Sequence, residues 1–200
     1  MPAAGDATRA PVVLKIGGSL AETDALAPLM LGLSAKRPAP LLVVPGGGTF
    51  ADTVRDAQMR HRLSDAASHH MALLAMHQYG VMLADLAAGF ALAETRAQFE
   101  AAWRAELVPI WLPAAMVLAA GDLPPSWAIS SDSLAAWVAG RIGASRLLVV
   151  KSCPLPAQRG DASALAAAGI VDAAFAAHVD GRRFSWEVVS GAQAALEALG

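Results

Sequence analysis

The sequence predicts an α/β protein, a three-layer α/β/α sandwich with a mainly parallel central sheet. Three observations predict it. Apolar runs recur at Val12–Ile16, broken only by Lys15, and without a break at Leu41–Val44 and Leu147–Val150, the pattern of strands covered on both faces. Helical segments separate these runs, as the crossovers of a parallel sheet require. Glycine clusters follow the first two runs immediately, Gly17-Gly18-Ser19 and Gly46-Gly47-Gly48-Thr49.

The elements follow in order. Residues 1–10 are small and polar, without periodicity, and read as a frayed leader to one domain over 11–200. Val12–Ile16 is the first strand, stopped by glycine, and Glu22–Ser34 a helix. Leu41–Val44 is the second strand, and Phe50–Arg60 reads as a helix. Ser64–Tyr79 is the strongest helical segment, opened by the cap residues Ser64 and Asp65 and closed at Gly80. Leu107–Leu112 reads as a strand and Ala114–Ala120 as a short helix, before a break at Leu123-Pro124-Pro125. Ser131–Ile142 is a helix capped by Ser130 or Ser131, and Leu147–Val150 the third buried strand. Ala162–Ala168 and Val171–His178 read as helices, Phe184–Val189 alternates like a strand, and Ala192–Leu199 closes the chain as a helix.

Composition removes several classes. The chain has 200 residues, 56% of them hydrophobic, and a formal net charge of -2, so it is neither disordered nor a strongly basic nucleic-acid binder. Its mean hydropathy is +0.45, but alanine makes up roughly a quarter of the chain. The longest unbroken apolar run, Ala114–Ala120, is far short of the ~20 residues of a spanning helix. One cysteine, Cys153, precludes an internal disulfide and fits a reducing compartment. No basic region and apolar stretch opens the chain. The expectation is a cytoplasmic protein with no membrane or nucleic-acid partner.

Chemistry is expected at the carboxyl ends of the strands. Glycine there lets the backbone approach a phosphate, and a helix N-terminus presents unpaired N–H donors. Tight turns alone would also explain either cluster; two at equivalent strand ends favour a phosphate site. Neither is a Walker A loop or a Gly-x-Gly-x-x-Gly fingerprint. There are three lysines, Lys15, Lys36 and Lys151, and two of them end predicted buried strands. A buried ammonium needs an anion. Asp132, in Ser130-Ser131-Asp132-Ser133, reads either as part of a capping cluster or as a group that orients a lysine or a metal. His70 and His77 share a helix face, but no Cys/His spacing matches zinc and no metal site is expected. The five tryptophans read as core more than as interface.

Lys15-Ile16-Gly17-Gly18-Ser19, Pro45-Gly46-Gly47-Gly48 and Ser131-Asp132-Ser133-Leu134-Ala135-Ala136, in this order, resemble the amino-acid kinase family, which includes acetylglutamate, aspartate and uridylate kinases. The resemblance spans about residues 12–155. Narrower motifs, Phe50-Ala51-Asp52, Ser64 to His69, Met71 to Gly80, Leu123 to Trp127 and Gly169 to Asp172, resemble the small kinases of methanofuran biosynthesis. Those phosphorylate an aminomethyl-furanmethyl phosphate to its diphosphate, in bacteria for methylofuran and one-carbon metabolism.

The resemblance implies an ATP- and Mg2+-dependent enzyme, commonly a homo-oligomer. Lys15 would stabilise the transferring phosphoryl group and Asp132 would hold the active-site lysines; Lys151, a third catalytic candidate, falls where uridylate kinases carry a lysine before the nucleotide-side loop. Gly17, Gly18, Ser19, Gly46, Gly47, Gly48 and Ser131 would bind phosphate or nucleotide. Asp52, Asp65 and His69 would contact the acceptor. An oxyanion acceptor needs no general base, and none is evident. Two departures stand out. Ser152-Cys153-Pro154 occupies the place where relatives carry Asp-Gly, and the later glycine-lysine segment of acetylglutamate kinases is not found. The alternatives are a non-catalytic nucleotide- or anion-binding protein on the same fold, or a kinase for an N-acyl amino acid or nucleoside monophosphate.

Overall fold

The computed structural model describes residues 10–36 and 40–200. Apart from Ala10, the leader expected over 1–10 lies outside them. Six strands form one sheet: β1 (Val12–Ile16), β2 (Leu41–Pro45), β3 (Phe90–Ala93), β4 (Val108–Trp111), β5 (Arg146–Lys151) and β6 (Ser185–Ser190). Their spatial order is β3-β4-β2-β1-β5-β6, and every pairing is parallel. The expected α/β sandwich is therefore present, with β1, β2 and β5 at its centre.

Period-two alternation sorts the strand residues between two cores. Val13, Leu42, Val44, Leu147, Val149 and Val188 enter one core. Leu14, Ile16, Leu41, Val43, Leu148 and Val150 enter the other. The first core packs under α6 (Ser131–Ile142), which buries nine of its residues. The second packs under α1 (Leu26–Lys36) and α9 (Gly191–Leu199). By the same alternation Lys15 and Lys151 point to the α6 side, and register places Lys15 opposite Val149. Both lysines therefore reach the N-terminus of α6.

Several boundaries differ from the sequence expectation. The helix expected over 22–34 is α1, which starts later, at Leu26, and runs to Lys36, with a 3-10 turn, Gly18–Glu22, before it. The next helix, α2, begins earlier, at Gly48, and runs to His61. The long helix α3 spans Asp65–Asp85, with the Ser64 hydroxyl accepting from Ala67 N–H as its cap. Gly80 does not end it. A Cβ at Gly80 would stand 3.0 Å from Leu112 and 3.4 Å from Ile110, so glycine serves close packing of α3 on β4.

The strand β3 and the helix α4 (Arg96–Arg104) were not expected. A capping box joining Thr95 and Gln98 opens α4. Short helices α5 (Ala114–Leu118), α7 (Ala162–Ala167) and α8 (Phe175–Val179) complete the order. The last begins four residues later than the expected Val171, because residues 171–174 form a turn built around Asp172. Trp111 and Trp137 stack in the core with centroids 6.1 Å apart. Trp103, Trp127 and Trp186 are half-buried, each packed against a core cluster. Among the described residues no helix is long and apolar enough to cross a membrane.

Candidate active site

At the carboxyl ends of β1, β2 and β5 lies a cavity of about 350 Å³. Its floor is a charged trio. Lys15 Nζ stands 2.7 Å from Asp132 Oδ1, and Lys151 Nζ stands 2.7 Å from Asp132 Oδ2. Lys15 and Asp132 are each only 3% exposed. Two ammonium groups on one carboxylate leave one net positive charge out of water, facing the cavity. Such a charge is costly until an anion meets it.

The electrostatics follow from this arrangement. Burial, opposed by the attraction of Asp132 and aided by the repulsion of Lys151, lowers the Lys15 ammonium to a pKa of about 8. Burial opposes ionisation of Asp132, yet the two lysines outweigh it and hold the carboxyl below its usual range. Asp132 therefore stays ionised.

Two glycine loops form the adjoining wall. The backbones of Gly18 and Gly48 touch, and a Cβ on Gly18 would collide with the Gly48 nitrogen. A Cβ on Gly46 would lie 2.5 Å from the Gly18 nitrogen. Gly48 also takes the left-handed conformation, with φ 55°, which glycine adopts without strain. Gly18, Ser19, Gly47 and Gly48 line the cavity in the first turns of their helices, where N–H groups lack helical acceptors. Gly17 and Gly46 do not line it. Their N–H groups donate to Val150 O and Ile16 O, at 3.0 and 2.9 Å, so they join the loops to the sheet.

The remaining expected residues gather here as well. Asp52 comes from α2, Asp65 and His69 from α3, and Ser131 from the first turn of α6; all line the cavity. Burial and then the neighbouring His70 push the His69 imidazole below its usual pKa. The Ser19 and Ser152 hydroxyls share a hydrogen bond of 2.7 Å, bringing the loop after β5 against the loop after β1.

Among the lining residues that sequence reasoning missed are Glu22, Arg55 and Trp127. The Arg55 guanidinium lies 4.5 Å over the Trp127 ring and donates to Asp52 at 2.6 Å. Trp127 Nε1–H donates to Gln58 Oε1 at 2.5 Å, and Gln58 Nε2 donates to Asp65 at 2.9 Å. Arg55 was within reach of the sequence, lying one turn after Asp52 on the same helix face. Trp127 lay outside any periodic segment.

Comparison with known proteins agrees with this geometry. A curated relative, the [5-(aminomethyl)furan-3-yl]methyl phosphate kinase of Methanocaldococcus jannaschii, is 30% identical over 128 residues. That alignment covers 63% of this chain and 58% of the relative's length. Among solved structures, uridylate kinase from Archaeoglobus fulgidus superposes with a TM-score of 0.72 at 14% identity, covering 94% of each chain. An isopentenyl phosphate kinase superposes at 0.58 and 14% identity, covering 94% of this chain and 96% of its own. The amino acid kinase family profile matches residues 10–154, and the chain belongs to that family.

Proposed function

We propose that this protein is an ATP-dependent kinase that transfers a phosphoryl group to the phosphate oxygen of a small acceptor, with residues 11–200 acting as one domain. The observation that carries this reading is the buried lysine–aspartate–lysine trio with its excess positive charge. Fixed ammonium groups beside exposed backbone N–H donors suit a site where charge spreads over phosphoryl oxygens.

ATP would supply the γ-phosphoryl group. The residues present fit its phosphates: Lys15 and Lys151 offer positive charge, and Gly18, Ser19, Gly47, Gly48 and Ser131 offer donors. Among the described residues no cluster of three carboxylate, thiol or imidazole groups is placed to cage a metal. Mg2+ would therefore be held chiefly by the nucleotide phosphates, as that ion commonly is.

In this reading Lys15, beneath both glycine loops, neutralises the transferring group, and Lys151 approaches it from β5. Asp132 fixes both ammonium groups by direct contact, so they need no reorganisation during the reaction. No general base is required, because a phosphate acceptor is already an oxyanion.

The acceptor we assign is an aminomethyl-furanmethyl phosphate or a close analogue. Support comes from the curated relative and from the carboxylates that line the cavity, Asp52 on α2, Asp65 on α3 and Glu22 at the end of the 3-10 turn. With Asp52 paired to Arg55, the carboxylates of Asp65 and Glu22 suit an acceptor that carries a cationic group. The reading includes a homo-oligomeric, cytoplasmic protein; light scattering returning only monomer refutes the first part.

The test is ATP consumption with aminomethyl-furanmethyl phosphate, and with acetylglutamate and UMP as comparators. Turnover confined to the furan phosphate is the expected result. Turnover confined to a comparator overturns the acceptor and retains the kinase. ATP binding without turnover on any of them overturns the kinase reading.

A further inference from the structure

The helix that carries Asp132 is held at its N-terminus by a residue far along the chain. Asp172, in the turn before α8, accepts from Ser130 N–H at 2.9 Å and from the Ser130 hydroxyl at 2.7 Å. It accepts from Ser133 N–H at 3.0 Å and, in a short bond, from the Ser133 hydroxyl. It also accepts from Ala174 N–H at 3.1 Å, while Ala174 N–H also donates to Ala128 O at 3.1 Å. Five donors therefore converge on one carboxylate. Four of them belong to Ser130 and Ser133, which flank Asp132 at the start of α6.

We propose that Asp172 is a positioning residue: it sets the first turn of α6 so that Asp132 meets both lysines. The reasoning is geometric. Ser130 and Ser133 bracket Asp132 on one helical turn, so a carboxylate gripping both fixes where the Asp132 Cα sits. The Ser130 hydroxyl, which accepts from Asp132 N–H at 3.4 Å, is itself held by Asp172. An ordinary N-cap would need one acceptor; here the cap residue, its backbone and the third residue of the helix are all fastened. Asp161, at the start of α7, shows the ordinary case, accepting only from Ser163 and Ala164 N–H.

Asparagine at 172 keeps one accepting oxygen and replaces the other with a donor. Serine hydroxyls can reverse their role, but the N–H groups of Ser130, Ser133 and Ala174 cannot. The turn then relaxes, and Asp132 loses its grip on Lys15. The charged groups facing Lys15 are Asp132 and Lys151, so weakening the Asp132 contact leaves burial and Lys151 to act unopposed.

The proposal rests on the kinase reading for its kinetic arm only. Asp172→Asn and Ser133→Ala are compared with the parent and with Asp161→Ala, a control that removes a cap elsewhere. Two quantities are read: the titration of the Lys15 side chain by NMR, and steady-state kinetics with ATP and the furan phosphate. The expected result is a Lys15 titration moved below that of the parent in Asp172→Asn and, less far, in Ser133→Ala. kcat falls by about 10- to 100-fold with little change in either KM, as misplacement of a catalytic group predicts. Asp161→Ala lowers thermal stability and leaves both quantities unmoved. An unmoved Lys15 titration in both variants overturns the proposal. So does a Ser133→Ala protein indistinguishable from the parent where Asp172→Asn fails to fold. A parent without turnover overturns the kinase reading, and the titration still decides the role of Asp172.

Discussion

Replacing Lys15 with methionine removes a buried charge while keeping a side chain of similar length. The Lys15→Met protein is expected to be inactive and more stable than the parent at pH 7. The magnitude follows from the ammonium itself, whose pKa drops from 10.5 to about 8 on folding. At 1.36 kcal/mol per pH unit this is about 3 kcal/mol of unfavourable burial, net of the attraction to Asp132. For a chain of this length that corresponds to a rise in Tm of roughly 6–12 °C. The pH dependence has a defined sign. Below pH 8 Lys15 is charged in both folded and unfolded chains, so the whole penalty is present. Between about 8 and 10.5 the unfolded chain retains a proton that the folded chain has released, and parental stability rises with pH on this account. Above that window the penalty is gone, and parent and variant converge. Paired thermal melts at pH 7 and at pH 10.5 read this difference directly. A variant less stable than its parent at pH 7, or a stability gap that stays constant into the alkaline range, would refute the reasoning.

Further outcomes follow from the same geometry. kcat/KM should decline as pH rises through about 8, because Lys15 of the free enzyme must be protonated to receive phosphate; a kcat/KM profile flat to pH 9.5 would contradict its role. Asp132→Asn leaves two ammonium groups without a counter-charge, so kcat should fall by roughly 100-fold or more, with a loss of stability in urea titration. Gly18→Ala forces apart two loops in backbone contact and should lower stability by about 1–3 kcal/mol, together with activity; an unchanged urea midpoint would show that the loops separate freely. Trp127→Ala should raise KM for the acceptor more than it lowers kcat, since it removes a wall rather than a charge; initial-rate kinetics distinguish the two.

The central sheet was readable because its strands are buried on both faces and leave continuous apolar runs. Helix α6 was readable to the residue, because Ser130 caps it and Gly143, at φ 69°, stops it in the left-handed conformation. Lys15 and Lys151 could be marked as strand-end lysines, and alternation then dictates their shared face. The edge strand β3 was missed because Phe90-Ala91-Leu92-Ala93 is only partly buried and carries a weak pattern. The Thr95–Gln98 capping box of α4 stood in the sequence unread. Other features depend on distance along the chain rather than on local pattern. Arg55 meets Trp127, and Asp172 meets Ser130 and Ser133, only after the sheet has ordered its crossovers. Likewise the sheet-bound N–H groups of Gly17 and Gly46 separate them from Gly18 and Gly48, which a reading by residue type treats alike.

The contact between the two glycine loops has an evolutionary consequence. Where main chain meets main chain with no room for a methyl group, nearly every coding change at Gly18 or Gly46 introduces a clash, so the loop side of the cavity has almost no neighbouring sequences to explore. The opposite wall is built from side chains on α2 and α3, at Asp52, Arg55, Asp65 and His69, where substitution leaves the backbone undisturbed. New acceptors are therefore accessible to this fold through changes on one wall alone, with the anion seat passed on intact.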